Sequence, residues 1–337
     1  MRTKKILVVT DNLRTQINGV VTTFKNIEPY ATKEGYEIVY LGPESFWFMG
    51  CPGYKEVKLS LPLGIGRKIR DIDPDYIHIA TEGPIGFAAN MYCWRNNYRF
   101  NTSYHTKFPE FIKKIYGVPE SITYRYMKWF HGHSGKVLTT TQTMVDELLA
   151  KNFLANIIPW ARGVNRDYLR PTQDRLKRHR NDKPSVLYVG RLSKEKNLDA
   201  LCVLQNKYNI SIVGDGPDMH RLSSKYKKVS FLGYKIGSDL ANCYLNADVF
   251  AFPGKEDTFG IVMIESLSLG TPVAGYNVPG PKDIVENGLT GYVGDNLDQC
   301  IEKCMLLNRR RVRRASNKWT WSNCWEIFRD NLISVRT

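Results

Sequence analysis

Nowhere among the 337 residues does an apolar run reach the 18 or so consecutive residues that a membrane-crossing helix needs. The basic start, residues 1–5, leads into four apolar residues (6–9) before Thr10 and Asp11. That run is too short for the apolar core of a secretory signal. The seven cysteines are odd in number and scattered, with no Cys-x-x-Cys pair. No disulfide framework is expected, and a reduced, cytoplasmic setting fits best. Cys300 and Cys304 stand one helical turn apart, where half a metal site or two small apolar residues on a helix face would look alike; the second is the plainer reading. Acidic residues are scarce beside basic ones, 33 against 48, for a formal charge of +15. A surplus of that size implies an anionic partner: nucleic acid, nucleotide phosphates or anionic lipid. Core material is not lacking, because 42% hydrophobic and 24% charged residues are ordinary globular usage. The length suggests about two domains at roughly 150 residues each.

Two segments begin alike. Residues 5–10 form a β-branched run that ends in a polar loop and then Gly19, and residues 185–190 do the same before Arg191 to Asn197. Continuous apolar runs of this kind read as buried parallel strands, whose C-terminal ends are where ligands sit in open α/β sheets. Further runs at 37–41, 76–79, 101–104 and 137–139, then at 210–213, 229–232, 249–252 and 272–274, predict more strands. Helical stretches such as 143–152 and 261–269 lie between them. This alternation predicts an α/β protein with two doubly wound, Rossmann-like domains facing a central cleft. The expected division is a first domain at 1–170, a polar linker at 171–184, and a second domain at 185–315. A final segment, 316–337, carries three tryptophans and a phenylalanine that must pack, and it is expected to brace the domains.

The stretch from Gly254 to Glu265 carries the sharpest chemistry. An apolar strand runs into a glycine-containing loop holding Asp257, and a helix starts near Gly260. Amides at a helix start have no intrahelical partner and favour anions. A carboxylate, those amides and a second carboxylate at Glu265 suit a hydroxyl-rich ligand joined to a diphosphate. A capping Asp followed by an ordinary surface Glu would show the same spacing.

This stretch resembles the E-x7-E signature of retaining glycosyltransferase family 4, which has the two-domain GT-B fold. Asp257 stands where most of that family has Glu, and Glu265 holds the second position. The Asp-Thr-Phe-Gly form, with Gly-Thr-Pro-Val-Ala downstream, is similar to a bacterial subgroup of GDP-mannose-dependent mannosyltransferases and glycolipid glycosyltransferases. Asn18-Gly-Val-Val21, residues 80–86, Ser103-Tyr-His-Thr-Lys107, residues 190–196 and Gly214-Asp-Gly-Pro217 follow in the family's order, so the resemblance runs from residue 5 to about 328. It implies hexose transfer from a nucleotide-diphosphate sugar, without a metal or other cofactor, to a hydroxyl acceptor such as diacylglycerol or a lipid-linked saccharide.

Site residues follow from chemistry and resemblance together. Arg191 and Lys196 are expected to stabilise the charge that grows on the leaving diphosphate. Gly19, beside Asn18, matches the family's glycine loop, although many relatives have two glycines there. Gly214, Phe259, Gly260 and Ile261 are expected to line the donor pocket, with the base against Leu232-Gly-Tyr234 by analogy. His105 matches an active-site histidine expected to hydrogen-bond near the transferred sugar, and Asp11 is a secondary candidate to contact the acceptor. No covalent nucleophile is assigned.

Asp71-Ile-Asp73 contains a D-x-D, but before a strand it reads as a turn rather than a metal site. Basic and aromatic residues interleave at 107–116 and 123–130, joined by Arg67, Lys68, Arg70 and the arginines of 309–314. They suit peripheral contact with an anionic membrane, or a solvated basic face over an aromatic core. A nucleic-acid binder is the rival from another class, but no recognition motif is present and no nucleic-acid partner is expected. A sugar-nucleotide epimerase or a non-catalytic GT-B protein would keep the fold. An NAD enzyme would need a glycine fingerprint that residues 11–16 lack.

Overall fold

The computed structural model describes residues 2–16, 18–51, 54–170 and 183–336. Of the expected linker 171–184, residues 171–182 therefore lie outside the described residues. The chain forms two compact units, one of Met1–Arg162 with Trp321–Thr337, the other of Gly163–Thr320.

The first unit is built on eight strands: β1 (Lys4–Val9), β2 (Tyr36–Leu41), β3 (Trp47–Cys51), β4 (Tyr54–Leu61), β5 (Tyr76–Ile79), β6 (Asn101–Tyr104), β7 (Lys136–Thr139) and β8 (Ile157–Pro159). Six of them form a parallel sheet in the order β2-β1-β5-β6-β7-β8, while β3 and β4 make a separate antiparallel hairpin. In β1, Ile6 to Val9 are wholly buried because the sheet is covered on both faces. Strand β6 is buried along its length although its residues are polar. Its side chains find partners. Asn101 Nδ2 donates to the Asn331 carbonyl at 2.7 Å, Ser103 Oγ lies 2.7 Å from His78 Nε2, and Thr102 Oγ1 donates to Ser134 at 3.1 Å. Such pairing offsets much of the cost of burying polar atoms.

The helix Trp321–Asp330 belongs to this first unit. Phe328 stacks on Trp160 with ring centroids 5.0 Å apart and meets Phe24 edge-on at 5.7 Å. Trp160 Nε1 donates to the Cys324 carbonyl at 2.8 Å. Trp325 and Phe328 are thus a missing wall of the first core, whereas Trp319 packs on the core of the second unit.

The second unit carries β9 (Ser185–Val189), β10 (Asn209–Val213), β11 (Ser230–Phe231), β12 (Val249–Phe252), β13 (Val273–Tyr276) and β14 (Gly291–Gly294). All are parallel, in the order β11-β10-β9-β12-β13-β14. Alternate residues serve opposite faces: Leu187, Val189, Phe250 and Phe252 join one core, and Val186, Tyr188, Ile210 and Ile212 the other. Cys300 and Cys304 are buried in that second core. In each sheet the strand order reverses beside the first strand, between β1 and β5 and between β9 and β12. Open α/β sheets bind ligands outside the carboxyl ends of the strands at such a reversal.

Candidate active site

In the second unit the loops leaving β9 and β12 are fastened across the reversal. Lys196 Nζ donates to Asp257 Oδ1 at 2.6 Å, and Asn197 Nδ2 donates to the Pro253 carbonyl at 3.1 Å. Lys196 and Asp257 keep 22% and 23% of their side-chain surface, so the pair is held yet reachable. Arg191 is exposed on the same loop, and its carbonyl accepts from the Tyr188 hydroxyl at 3.0 Å.

The loop after β10 presses against the loop after β9. A Cβ on Gly214 would lie 2.0 Å from the Gly190 carbonyl oxygen, and φ there is +129°. Only glycine fits. Gly214 N in turn donates to the Gly233 carbonyl at 2.9 Å, which brings the Leu232–Tyr234 segment alongside. Leu232 and Tyr234 are both exposed.

The helix Ile261–Ser268 starts from Gly260, at φ +90°, with no side-chain cap. Its first amides therefore keep hydrogen-bonding capacity for a ligand. Phe259 is buried edge-on against Trp319, centroids 5.6 Å apart, while Ile261 is half-buried. Glu265, farther along the helix, accepts from the Tyr244 hydroxyl at Oε2, 2.9 Å away. Burial raises its pKa, and the Tyr244 bond opposes that. Asp257 and Glu265 thus differ in setting: the first faces a cation, the second a neutral donor.

In the first unit Asp11 sits at the β1/β5 reversal. Its Oδ1 accepts from Ile85 N at 2.8 Å, and its Oδ2 accepts from Thr81 Oγ1 at 2.7 Å and from Gly86 N at 3.4 Å. The carboxylate thereby caps the helix Pro84–Arg95, whose own N-cap, Gly83, has no side chain to do so. Burial nevertheless pushes its pKa up to about 6.

His105 follows β6. Its Nδ1 accepts from Arg162 Nη2 at 3.0 Å, which puts the ring proton on Nε2. Burial, with the adjacent Arg162 cation, holds the imidazole neutral, its pKa well below the ordinary value. Asn18 caps the helix Gly19–Lys33, its Oδ1 accepting from Val20 N and Val21 N at 3.1 and 3.0 Å. A Cβ on Gly19 would meet nothing within 4 Å.

Several participants escape sequence reasoning. Arg162 and Tyr244 orient His105 and Glu265 from 57 and 21 residues away. Glu82 and His131 approach to 3.4 Å between Oε1 and Nε2, almost wholly buried. Only Glu82 had a local signal, its place just after β5. Asp73 ends the helix Ile65–Ile72 at φ +47° and faces Arg2 and Arg336 at 3.7 and 3.4 Å. Among the described residues no group of three or more His, Cys, Asp or Glu side chains is placed to hold a metal ion.

Two Rossmann-like units, each with its loops at the carboxyl ends of its own strands, are the architecture of the GT-B glycosyltransferases. Anabaena HepE, solved with UDP and glucose, has this architecture and matches 97% of this chain and 98% of its own, with a TM-score of 0.71 at 15% identity. The family described as Glycosyltransferase Family 4 matches residues 17–168, and the one described as Glycosyl transferases group 1 matches 170–305. The chain belongs to these family 4/group 1 glycosyltransferases. A GDP-mannose-dependent alpha-mannosyltransferase of Mycobacterium tuberculosis is 26% identical over 98% of this chain and 95% of the relative. An alpha-monoglucosyldiacylglycerol synthase of Streptococcus pneumoniae is 21% identical over 87% and 76%.

Proposed function

We propose that this glycosyltransferase moves a hexose, with retention of configuration and without a metal ion, from a nucleoside-diphosphate sugar to a hydroxyl of a membrane lipid or lipid-linked saccharide. The observation that carries the reading is the Lys196–Asp257 pair spanning the β9/β12 reversal beside the uncapped helix at Gly260. As the bond from the sugar C1 to the diphosphate breaks, negative charge grows on the leaving oxygens. Lys196, Arg191 and the first amides of the Ile261 helix are fixed donors for that charge. The acceptor oxygen bonds to C1 on the face the diphosphate leaves, and the departing phosphate oxygen takes its proton.

Asp257 and Glu265 accept hydrogen bonds from hydroxyls of the donor, and Leu232 to Tyr234 offer an apolar platform for its base. In the first unit, His105 serves as a neutral Nε2–H donor to a sugar hydroxyl and Asp11 lies toward the acceptor. The domain division 1–170, 171–184, 185–315 and 316–337 belongs to this reading, with the acceptor assigned to the first domain and the donor to the second. The lipid acceptor draws on the name of the diacylglycerol-glycosylating relative. A lipid acceptor in turn implies work at the cytoplasmic face of a membrane.

A thermal-shift panel of UDP, GDP, ADP and their sugars tests the donor, since a ligand that binds the native state raises its stability. At least one nucleotide sugar should raise Tm in EDTA as well as in magnesium, and the stabilising donor should then support transfer to extracted lipid. No shift with any nucleotide, or transfer that requires the metal, overturns the reading.

A further inference from the structure

The interleaved basic and aromatic stretch at 107–130 is partly consumed in packing, although Tyr116, Ile122 and Trp129 keep 50%, 56% and 37% exposure. Phe130 and Met127 are buried, Tyr124 donates to Glu110 at 2.6 Å, and Lys107 pairs with Glu147 at 2.8 Å. Arg309 is buried as well, donating to the carbonyls of Ala247 and Leu245. The β3–β4 hairpin gathers a further set of exposed apolar side chains onto one short ribbon.

Strand register decides which hairpin residues share a face. Trp47 pairs with Leu61, Phe48 with Ser60 and Met49 with Leu59. Directly opposed residues project to the same side, and successive ones alternate. Trp47, Met49, Leu59 and Leu61 therefore form one row, while Phe48 and the buried Ser60 form the other. On the first row Trp47 is 66% exposed, Met49 51% and Leu61 51%, and Leu63 just beyond is 73% exposed. A soluble ribbon normally turns its apolar row inward and its polar row to water. This one leaves its apolar row in water, and Phe48 on the other row is itself 37% exposed.

Charge selects the occupant. The helix Ile65–Ile72, which follows directly, carries Arg67, Lys68 and Arg70 against one acid, Asp71. Arg67 and Arg70 are exposed, and Lys68 Nζ sits 5.6 Å over the ring of Phe46, the residue before the hairpin. Exposed Trp, Met and Leu side chains beside arginines, on a chain of net +15, match a surface that is apolar within and anionic at its boundary.

We propose that the β3–β4 hairpin is a bilayer-seating element, its Trp47–Met49–Leu61 row entering the headgroup–acyl boundary of an anionic membrane while Arg67 and Arg70 meet lipid phosphates. This deepens the lipid-acceptor reading and rests on it for its purpose. Among the described residues no helix is long and apolar enough to cross a membrane, so surface seating is the mode the ribbon offers.

The test is flotation of the full chain with vesicles of phosphatidylcholine alone and of phosphatidylcholine with about 30% phosphatidylglycerol, which gives the surface the negative potential that attracts basic side chains. The wild type should float with the anionic vesicles. A Trp47→Ser/Met49→Ser/Leu61→Ser variant should bind them about tenfold or more weakly, and Arg67→Glu/Arg70→Glu should lose the anionic preference. A control, Val203→Ser/Leu306→Ser, alters exposed apolar residues of the second unit and should float as wild type. Unchanged Tm, and an unchanged shift with the stabilising nucleotide, show that each variant is folded.

Flotation of the triple variant equal to wild type overturns the hairpin assignment. So does a wild type that ignores vesicles but changes oligomeric state when the row is made polar, since the row then seats a second copy. Transfer to lipid in detergent micelles is measured separately, so the acceptor reading can fail or stand independently.

Discussion

Arg162 Nη2 donates to His105 Nδ1 at 3.0 Å, and that one bond decides what the histidine can do. A guanidinium has no proton acceptor to offer, so the ring must present Nδ1 as a lone pair and Nε2 as N–H. A neutral donor can hydrogen-bond a sugar hydroxyl but is no base at Nε2. Nitrogen-15 NMR should find His105 as the neutral Nε2–H form from pH 8 to pH 5. A ring that titrates near 6.5 contradicts this geometry.

Stability should follow the same burial. His78, wholly buried, has its pKa lowered to about 3, chiefly by burial, and that of His105 is also lowered. Below about 6.5 the unfolded chain takes up protons that these rings refuse, so stability is lost as pH falls, by about 1.4 kcal/mol per pH unit for a ring such as His78. Asp11 works in the opposite sense. With its folded pKa raised to about 6, stability is gained as pH falls from there toward the unfolded value. Asp11→Asn should therefore steepen the loss of Tm between pH 7 and pH 5. An unchanged slope would show that Asp11 does not hold that proton.

Lys196→Ala and Arg191→Ala should each lower kcat by about 10²–10³, the scale for one preorganised donor to a developing oxyanion. Tm should move little, because Lys196 is only partly buried and Arg191 is exposed. Turnover at the wild-type rate in either variant removes that residue from the diphosphate.

Asp257→Ala should change which sugar is used more than how tightly the nucleotide binds. The ratio of kcat/KM between two nucleotide sugars of the same base should collapse toward one, while the thermal shift with free nucleotide persists. Selective loss of nucleotide binding would instead place Asp257 on the diphosphate or base.

Two glycines should part company. Gly19→Ala meets open space at the first turn of a helix, and should leave Tm unchanged or raise it by up to about 1 kcal/mol equivalent. If ligand phosphate approaches that backbone, activity should still fall. Gly214→Ala puts a methyl 2.0 Å from a carbonyl oxygen and should destabilise by about 2–4 kcal/mol, read by urea unfolding. Equal stability losses in the two would contradict the contrast.

How far the sequence spoke depended on the signal each residue carried. Strands β5, β6 and β12 were legible to the residue because apolar or β-prone runs stop abruptly at polar loops. Asp257 and Lys196 were legible because both belong to loops that follow such strands. Strand β8, three residues long, and β14, closed by glycine at both ends, carry too little pattern to be read. The hairpin was missed because its apolar row faces outward, which leaves no alternation toward a core. Arg162 and Tyr244 were invisible for another reason: each acts on a partner distant in sequence, and nothing local marks the meeting.

The helix Trp321–Asp330 has one more consequence. Residues 163–320 are a complete core in themselves, whereas Trp160 and Phe24 wait for Phe328. On the ribosome the later-made unit can close first. The unit begun at residue 1 lacks one wall until residues 321–330 have followed, so the core begun second is the first to have all its residues made.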